Sequence, residues 1–134
     1  MFNPRYALII AATALLPLMA GRPAAAERVS TPLQNYQVSG MSSGSQQSSC
    51  GFIGSPAMEV QVTEPIASLR FRASGGGALT LFVTNGQTQD CAMSDNLSGG
   101  AVELPGVWEQ GTYAVYVGDR SGNAHSYQLS VTQE

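Results

Sequence analysis

Short runs in which every second residue is apolar recur along the chain, and they constrain its fold more than any other feature. In such a run, one face of an extended strand points into a core and the other points into water. Glycine-containing turns separate the runs, and no segment after residue 26 shows a helical period of about 3.6 residues. Short strands at regular spacing predict an all-β sandwich or barrel. The clearest runs begin at Met58, Leu69, Leu79, Tyr113 and Tyr127.

Turn signals and polar stretches divide the rest of the chain. Asn85-Gly86 predicts a hairpin, because both central positions of a tight hairpin turn favour positive φ. Residues 39–49 are almost entirely serine, glycine and glutamine, a composition that predicts a flexible surface loop. We expect a loose leader over residues 27–34 and one β-sandwich domain over residues 35–134.

Residues 1–26 have the three parts of a secretory signal peptide. Arg5 supplies a positive charge, residues 7–20 are almost wholly apolar, and Ala24-Ala25-Ala26 supplies the small residues of a cleavage site. The apolar run is shorter than the span of about 20 residues that crosses a bilayer. We therefore favour cleavage after Ala26 over an uncleaved membrane anchor. The mature protein is expected to be secreted or periplasmic and to have no membrane span.

The charge of the remaining segment argues against two classes of partner. Residues 27–134 contain four arginines and nine acidic residues, which give a net charge of −5, and the chain contains no lysine. A protein that binds nucleic acid or an anionic membrane carries a basic patch. We therefore expect neither partner.

Cys50 and Cys91 are the two cysteines of the chain. In the oxidising compartment that an exported protein reaches, an even pair usually forms a disulfide. A zinc site is disfavoured because the two residues are far apart in the sequence and the chain has a single histidine. A redox pair is disfavoured because there is no Cys-x-x-Cys motif. We expect a structural disulfide that holds two sheets together, and no cofactor.

Several segments resemble a known family. Gly111–Gly118, the glycine-containing loop after it and Ser126–Thr132 are similar to the end of the bacterial pre-peptidase C-terminal domain. Cys50–Ile53 and Leu79–Val83 are similar to segments of secreted, stand-alone relatives of that domain. The resemblance extends over about residues 35–132. It implies a jelly-roll-like antiparallel β-sandwich of about seven to nine short strands. It also implies an accessory role beside secreted peptidases, with calcium or extracellular polymers as ligands in some members.

Arg70 and Arg72 lie one pleat apart on the outward face of a predicted strand. Two guanidinium groups at this spacing suit the carboxylates or sulfates of an acidic polymer. The alternative, which we favour for an acidic chain, is that they pair with Glu59, Glu64 or another acidic residue on a neighbouring strand.

Trp108 and Tyr116 are candidates for an exposed platform on which a sugar ring stacks. Pro105-Gly106 is expected to end a short strand over residues 101–104, which leaves Trp108 on the following turn. Aromatic residues at alternating positions of a small sandwich otherwise belong to its core.

Acidic and serine-containing loops supply two further candidates. Calcium binds six to eight oxygen ligands, and Asp90, Asp95 and Asp119 are the calcium candidates, although their spacing matches no known calcium loop. We otherwise expect them to form turns and solvated charges. Gly40–Gly44 matches the Gly-x-Ser-x-Gly pattern of a nucleophile elbow, for which His125 is the sole candidate base. The elbow requires a strand before it and a helix after it, and neither is predicted.

Three functions remain after these exclusions. We favour a non-catalytic module that binds a protein or a polysaccharide, and expect it to present an aromatic or arginine-rich patch on one sheet face. The second is a structural subunit that joins a partner through an exposed strand edge. The third is a hydrolase, which requires His125 within hydrogen-bond reach of a serine and an acidic residue.

Overall fold

The computed structural model describes residues 26–42, 44–94 and 101–134, and these residues fold into two packed β-sheets. The described residues contain no helix. They form eleven strands: β1 (Glu27–Ser30), β2 (Asn35–Ser42), β3 (Gln46–Ser48), β4 (Gly51–Ile53), β5 (Met58–Val62), β6 (Ile66–Gly75), β7 (Leu79–Thr84), β8 (Gln89–Met93), β9 (Val102–Trp108), β10 (Gly111–Asp119) and β11 (His125–Gln133). The predicted β-sandwich is confirmed, with more strands than the seven to nine expected.

The strand β10 is the centre of a seven-stranded sheet. β7 pairs with one side of it, and β5 and β4 follow one another along its other side. Beyond these strands lie β8, β1 and β3, and β1 runs parallel to β5. The second sheet has four antiparallel strands in the order β2-β11-β6-β9.

The core lies between the two sheets and is formed by the apolar positions of the alternating runs, as predicted. Alternation along β5, β6, β7, β10 and β11 turns every second side chain inward. The fully buried members with the largest side chains are Phe71, Met58, Leu69, Leu79, Leu81, Leu129, Val60, Val62, Val83, Val115 and Val131.

Two segments expected to be irregular form strands. The predicted loose leader over residues 27–34 is wrong for Glu27–Ser30, which forms β1 against β5, and Thr31 after it is buried. The predicted flexible loop over residues 39–49 is wrong for most of its length, because β2 extends to Ser42 and β3 covers Gln46–Ser48. These strands are held by backbone ladders at sheet edges, and such pairing needs little apolar side-chain burial.

The strand β9 does not end at Pro105-Gly106 but continues to Trp108. β9 is an edge strand of its sheet. A proline, which lacks an N–H group, is tolerated there because no further strand depends on that group. Because the strand continues, Trp108 points inward like Val102 and is only 5% exposed.

The predicted hairpin at Asn85-Gly86 is confirmed between β7 and β8, with Gly86 at φ +94°. Its loop spans residues 85–88. The Oδ1 atom of Asn85 accepts hydrogen bonds from the backbone N–H groups of Gln87 and Thr88, at 2.9 and 2.8 Å.

The expected disulfide joins Cys50 and Cys91, with their Cα atoms 5.8 Å apart. Cys50 lies in the turn between β3 and β4, and Cys91 lies on β8. Both elements belong to the seven-stranded sheet, so the expectation that the bond connects the two sheets is wrong.

None of the segments that the structure describes is a helix long and apolar enough to cross a bilayer. The predicted signal peptide over residues 1–26 falls almost entirely outside those segments.

Candidate functional site

The outward surface of the four-stranded sheet carries mainly polar side chains, and we call it the polar face. Strand register aligns these side chains in rows across the sheet, and one row contains Gln37, Ser130, Arg72 and Glu103. The three apolar members of the face, Met41, Pro105 and Val107, lie on its two edge strands. The other members of the face are Asn35, Ser39, Arg70, Ser74, Ser126, Gln128 and Thr132.

Arg70 and Arg72 both point outward on this face, and both are paired. The two carboxylate oxygens of Glu103 lie 3.3 Å from Nη1 of Arg70 and 3.2 Å from Nε of Arg72. A carboxylate oxygen of Glu134 lies 3.6 Å from Nε of Arg70. Pairing with acidic residues, the alternative favoured from the sequence, is confirmed, but the partners are Glu103 and Glu134 rather than the named Glu59 or Glu64; Glu59 pairs with Arg28 instead. These exposed pairs add little stability, but together they leave the polar face without net charge.

A shallow depression lies within the polar face, next to the row that contains Arg72. Hydroxyl groups and a side-chain amide line much of it. The side chain of Tyr127 points to the other side of β11, where it packs against the core, and burial raises the pKa of its phenol. The lining residues are Ser39, Gly40, Ser74, Gly75, Ser126, Tyr127 and Gln128.

Asp119 and His125 form a second polar cluster where β10 turns into β11. The Nδ1 atom of His125 lies 2.6 Å from Oδ2 of Asp119, and the Asp119 side chain is 2% exposed. The other carboxylate oxygen accepts hydrogen bonds from the backbone N–H group and the hydroxyl of Ser121. Burial raises the pKa of Asp119, but the hydrogen bonds from Ser121 and His125 and the charge of a protonated imidazole outweigh it and hold the pKa below its ordinary value.

The His125 ring lies directly against the glycine-rich turn between β6 and β7. A Cβ atom on Gly77 would lie 2.3 Å from Nδ1 of the ring, and Gly77 has a φ of +77°. Both observations require glycine at this position. The cluster therefore connects the β10–β11 loop to a turn that joins the two sheets.

Ser42, the central serine of Gly40–Gly44, does not bond to the imidazole of His125. Its Oγ atom donates to the backbone carbonyl of His125 and accepts from the backbone N–H of the same residue, at 3.2 and 3.1 Å. The segment around Ser42 is a strand rather than a strand-to-helix elbow. Of the groups the hydrolase hypothesis requires, the described residues bring only the acidic one, Asp119, to the ring.

The two aromatic candidates do not lie beside the arginines. Trp108 is not on the surface, which corrects its prediction as a stacking residue. Its Nε1–H donates to the carbonyl of Leu69 at 2.9 Å, and its ring makes edge contacts with Phe71 and Tyr113. Tyr116 lies on the outward side of the seven-stranded sheet, half-buried, with its ring centroid 5.6 Å from that of Phe82.

The calcium candidates are also separated. Asp119 is buried in the cluster with His125, whereas Asp90 is exposed on β8 opposite Val83. Asp95 lies outside the described residues. Within the described ranges, no three His, Cys, Asp or Glu side chains are grouped closely enough to hold a metal ion.

Sequence reasoning identified the arginines of the polar face but missed its neutral members and the pairing of Asp119 with His125. Two features of the sequence indicate these groups. The outward positions of β11 are Gln128, Ser130 and Thr132, and Asp119-x-Ser121 has the spacing of an aspartate turn.

The two packed sheets have the fold of a pre-peptidase C-terminal domain. The structure matches the pre-peptidase C-terminal domain of a collagenase from Bacillus anthracis with a TM-score of 0.60, covering 84% of this chain and 99% of that chain. The sequence identity is 18%, so the match shows a shared fold alone.

The chain belongs to the family of the uncharacterised protein Synpcc7942_2126 of Synechococcus elongatus. The two are 33% identical over 129 residues, which cover 92% of this chain and 93% of the relative. No protein-family model matches the chain. A mutant of PliG-Ec, a periplasmic inhibitor of g-type lysozyme from Escherichia coli, is 15% identical over 82% of this chain, with a TM-score of 0.40 that does not establish a shared fold.

Proposed function

We propose that this protein is a non-catalytic binding module that acts outside the cytoplasm, secreted or periplasmic, and binds a polysaccharide along the polar face. The observation that carries the proposal is the composition of that face, which aligns hydroxyl and amide groups in register and has no net charge. Hydroxyl and amide groups both donate and accept hydrogen bonds, as the hydroxyls of a sugar require. The centre of a protein–protein interface is usually more apolar.

The row of Gln37, Ser130 and Arg72 supplies the central contacts of the proposed site. Glu103 holds the Nε of Arg72, and no acceptor in the described residues bonds the Nη groups of that side chain. The Nη groups of Arg72 are therefore available to donate hydrogen bonds to a ligand. The depression beside this row, lined by Ser39, Ser74 and Gln128, provides room for a sugar ring.

The compartment is supported by the disulfide. A Cys50–Cys91 bond persists in oxidising surroundings outside the cytoplasm. This agrees with the signal peptide expected from residues 1–26.

Retention of the exported protein on insoluble polysaccharides, neutral and uronate-containing, tests the proposal. A Gln128→Ala, Ser130→Ala and Arg72→Gln variant is expected to be retained at least about tenfold less, because each lost hydrogen bond contributes about 0.5–1.5 kcal/mol and 1.4 kcal/mol is a tenfold change in affinity. The matched control is Thr112→Ala with Arg28→Gln, two exposed positions on the other sheet.

Three results would contradict the proposal. The first is no retention on any polysaccharide. The second is equal retention of the polar-face and control variants, and the third is recovery of a protein from envelope extract through the polar face. Stronger retention on uronate than on neutral polymers would assign the ligand to acidic polysaccharides and a larger role to Arg72.

A further inference from the structure

The strand β2 pairs with β11 on one side and has no neighbouring strand on its other side in the described part of the chain. The β2–β11 ladder is continuous from Asn35↔Thr132 to Ser42↔His125, so eight residues of β2 stay extended without a bulge. Their outward backbone N–H and C=O groups can pair with another strand.

The features that normally protect an edge strand are absent from β2 and present on the opposite edge of the same sheet. β2 contains no charged residue and no proline. By contrast, β9 contains Glu103 and Pro105, and its pairing with β6 has a register shift between Ile66 and Leu69. Charges, prolines and irregular pairing are the usual means of preventing strand addition. Only one edge of this sheet is therefore suited to it.

We propose that β2 pairs with β2 of a second copy of this chain, antiparallel and across a two-fold axis, to give a continuous eight-stranded sheet. In such a self-complementary contact, side chains near the centre meet their own symmetry mates. A charged residue there would face a like charge, and β2 has none. This neutrality favours a second copy over a charged partner.

Side chains along β2 gain burial when the edge is covered. Tyr36 and Val38 are half-buried at the margin of the core, and Met41 is 57% exposed. A second copy of β2 would cover all three side chains, Tyr36 and Val38 on the inner side of the sheet and Met41 on the polar face. Glu27 lies beside this strand and accepts a hydrogen bond from the Tyr36 hydroxyl. Because each copy is acidic, added salt is expected to strengthen the dimer.

Sedimentation velocity of the exported protein, from about 1 μM to about 1 mM, tests the pairing without any polysaccharide. We expect a reversible monomer–dimer equilibrium. Ser39→Lys and Ser39→Glu, each alone, place like charges within cross-strand reach and are expected to weaken the dimer at least tenfold. An equimolar mixture of the two variants is expected to restore it.

Thr112→Lys, an exposed substitution on the other sheet, is the charge-matched control and should dimerise like the unaltered protein. Urea unfolding of each variant establishes that the monomer fold is retained. The proposal is overturned by a monomer at every concentration, by Ser39 variants that dimerise normally, or by a mixture that does not recover. Loss of polysaccharide binding would leave these sedimentation results unchanged, so the two proposals fail separately.

Discussion

Removal of the Cys50–Cys91 disulfide is expected to lower the free energy of unfolding by about 4 kcal/mol at 25 °C. The bond closes a loop with a sequence separation of 41. In the chain-entropy model, a cross-link over a loop of this length removes about 13 cal/mol/K of entropy from the unfolded chain. A small domain is stable by only about 5–15 kcal/mol. The double variant Cys50→Ala and Cys91→Ala is therefore expected to fold with much of its stability lost.

Urea unfolding followed by fluorescence measures this loss, because Trp108 is the single tryptophan and is buried. The melting temperature should fall by about 15 °C, at about 4 °C for each kcal/mol. The unaltered protein kept reduced by a thiol reagent, without alkylation of the buried Cys50, is the control and should match the double variant. A loss below about 1 kcal/mol, which is within the range of ordinary substitutions, would refute the reasoning. Free thiols on the oxidised protein, found by mass spectrometry, would also refute it.

Two further predictions concern buried polar groups. Because the pKa of Asp119 is lowered in the folded state, its contribution to stability is present above the ordinary value of 3.8 and is lost as the pH falls through the lower folded value. Asp119→Asn should cost about 1–3 kcal/mol at pH 7 and flatten the acid side of a plot of urea midpoint against pH; an unchanged acid limb would contradict this. Trp108→Phe removes the hydrogen bond to Leu69 and leaves a cavity, so unfolding followed by circular dichroism should show a loss of about 2–4 kcal/mol, whereas a loss near zero would place Trp108 outside the core.

The elements that the sequence predicted well are those whose side chains divide cleanly between core and solvent. Leu129 and Val131 on β11 alternate with polar residues, and both are buried. The apolar pattern failed over residues 39–49, which include the end of β2 and all of β3, because edge strands are held by backbone pairing and need no apolar pattern. It also failed at Trp108, because Pro105 ends a central strand but is tolerated at an edge.

The polar face was harder to predict because it depends on the order of strands rather than on any one strand. Gln37, Ser130 and Arg72 are far apart in the sequence, and only the order β2-β11-β6 places them in one row. Alternation predicts that each side chain points outward, but it does not predict which outward positions become neighbours. The order of strands also places the neutral strand β2 at the end of the sheet. The topology that assembles the proposed binding surface therefore also exposes the edge through which a second copy would extend it.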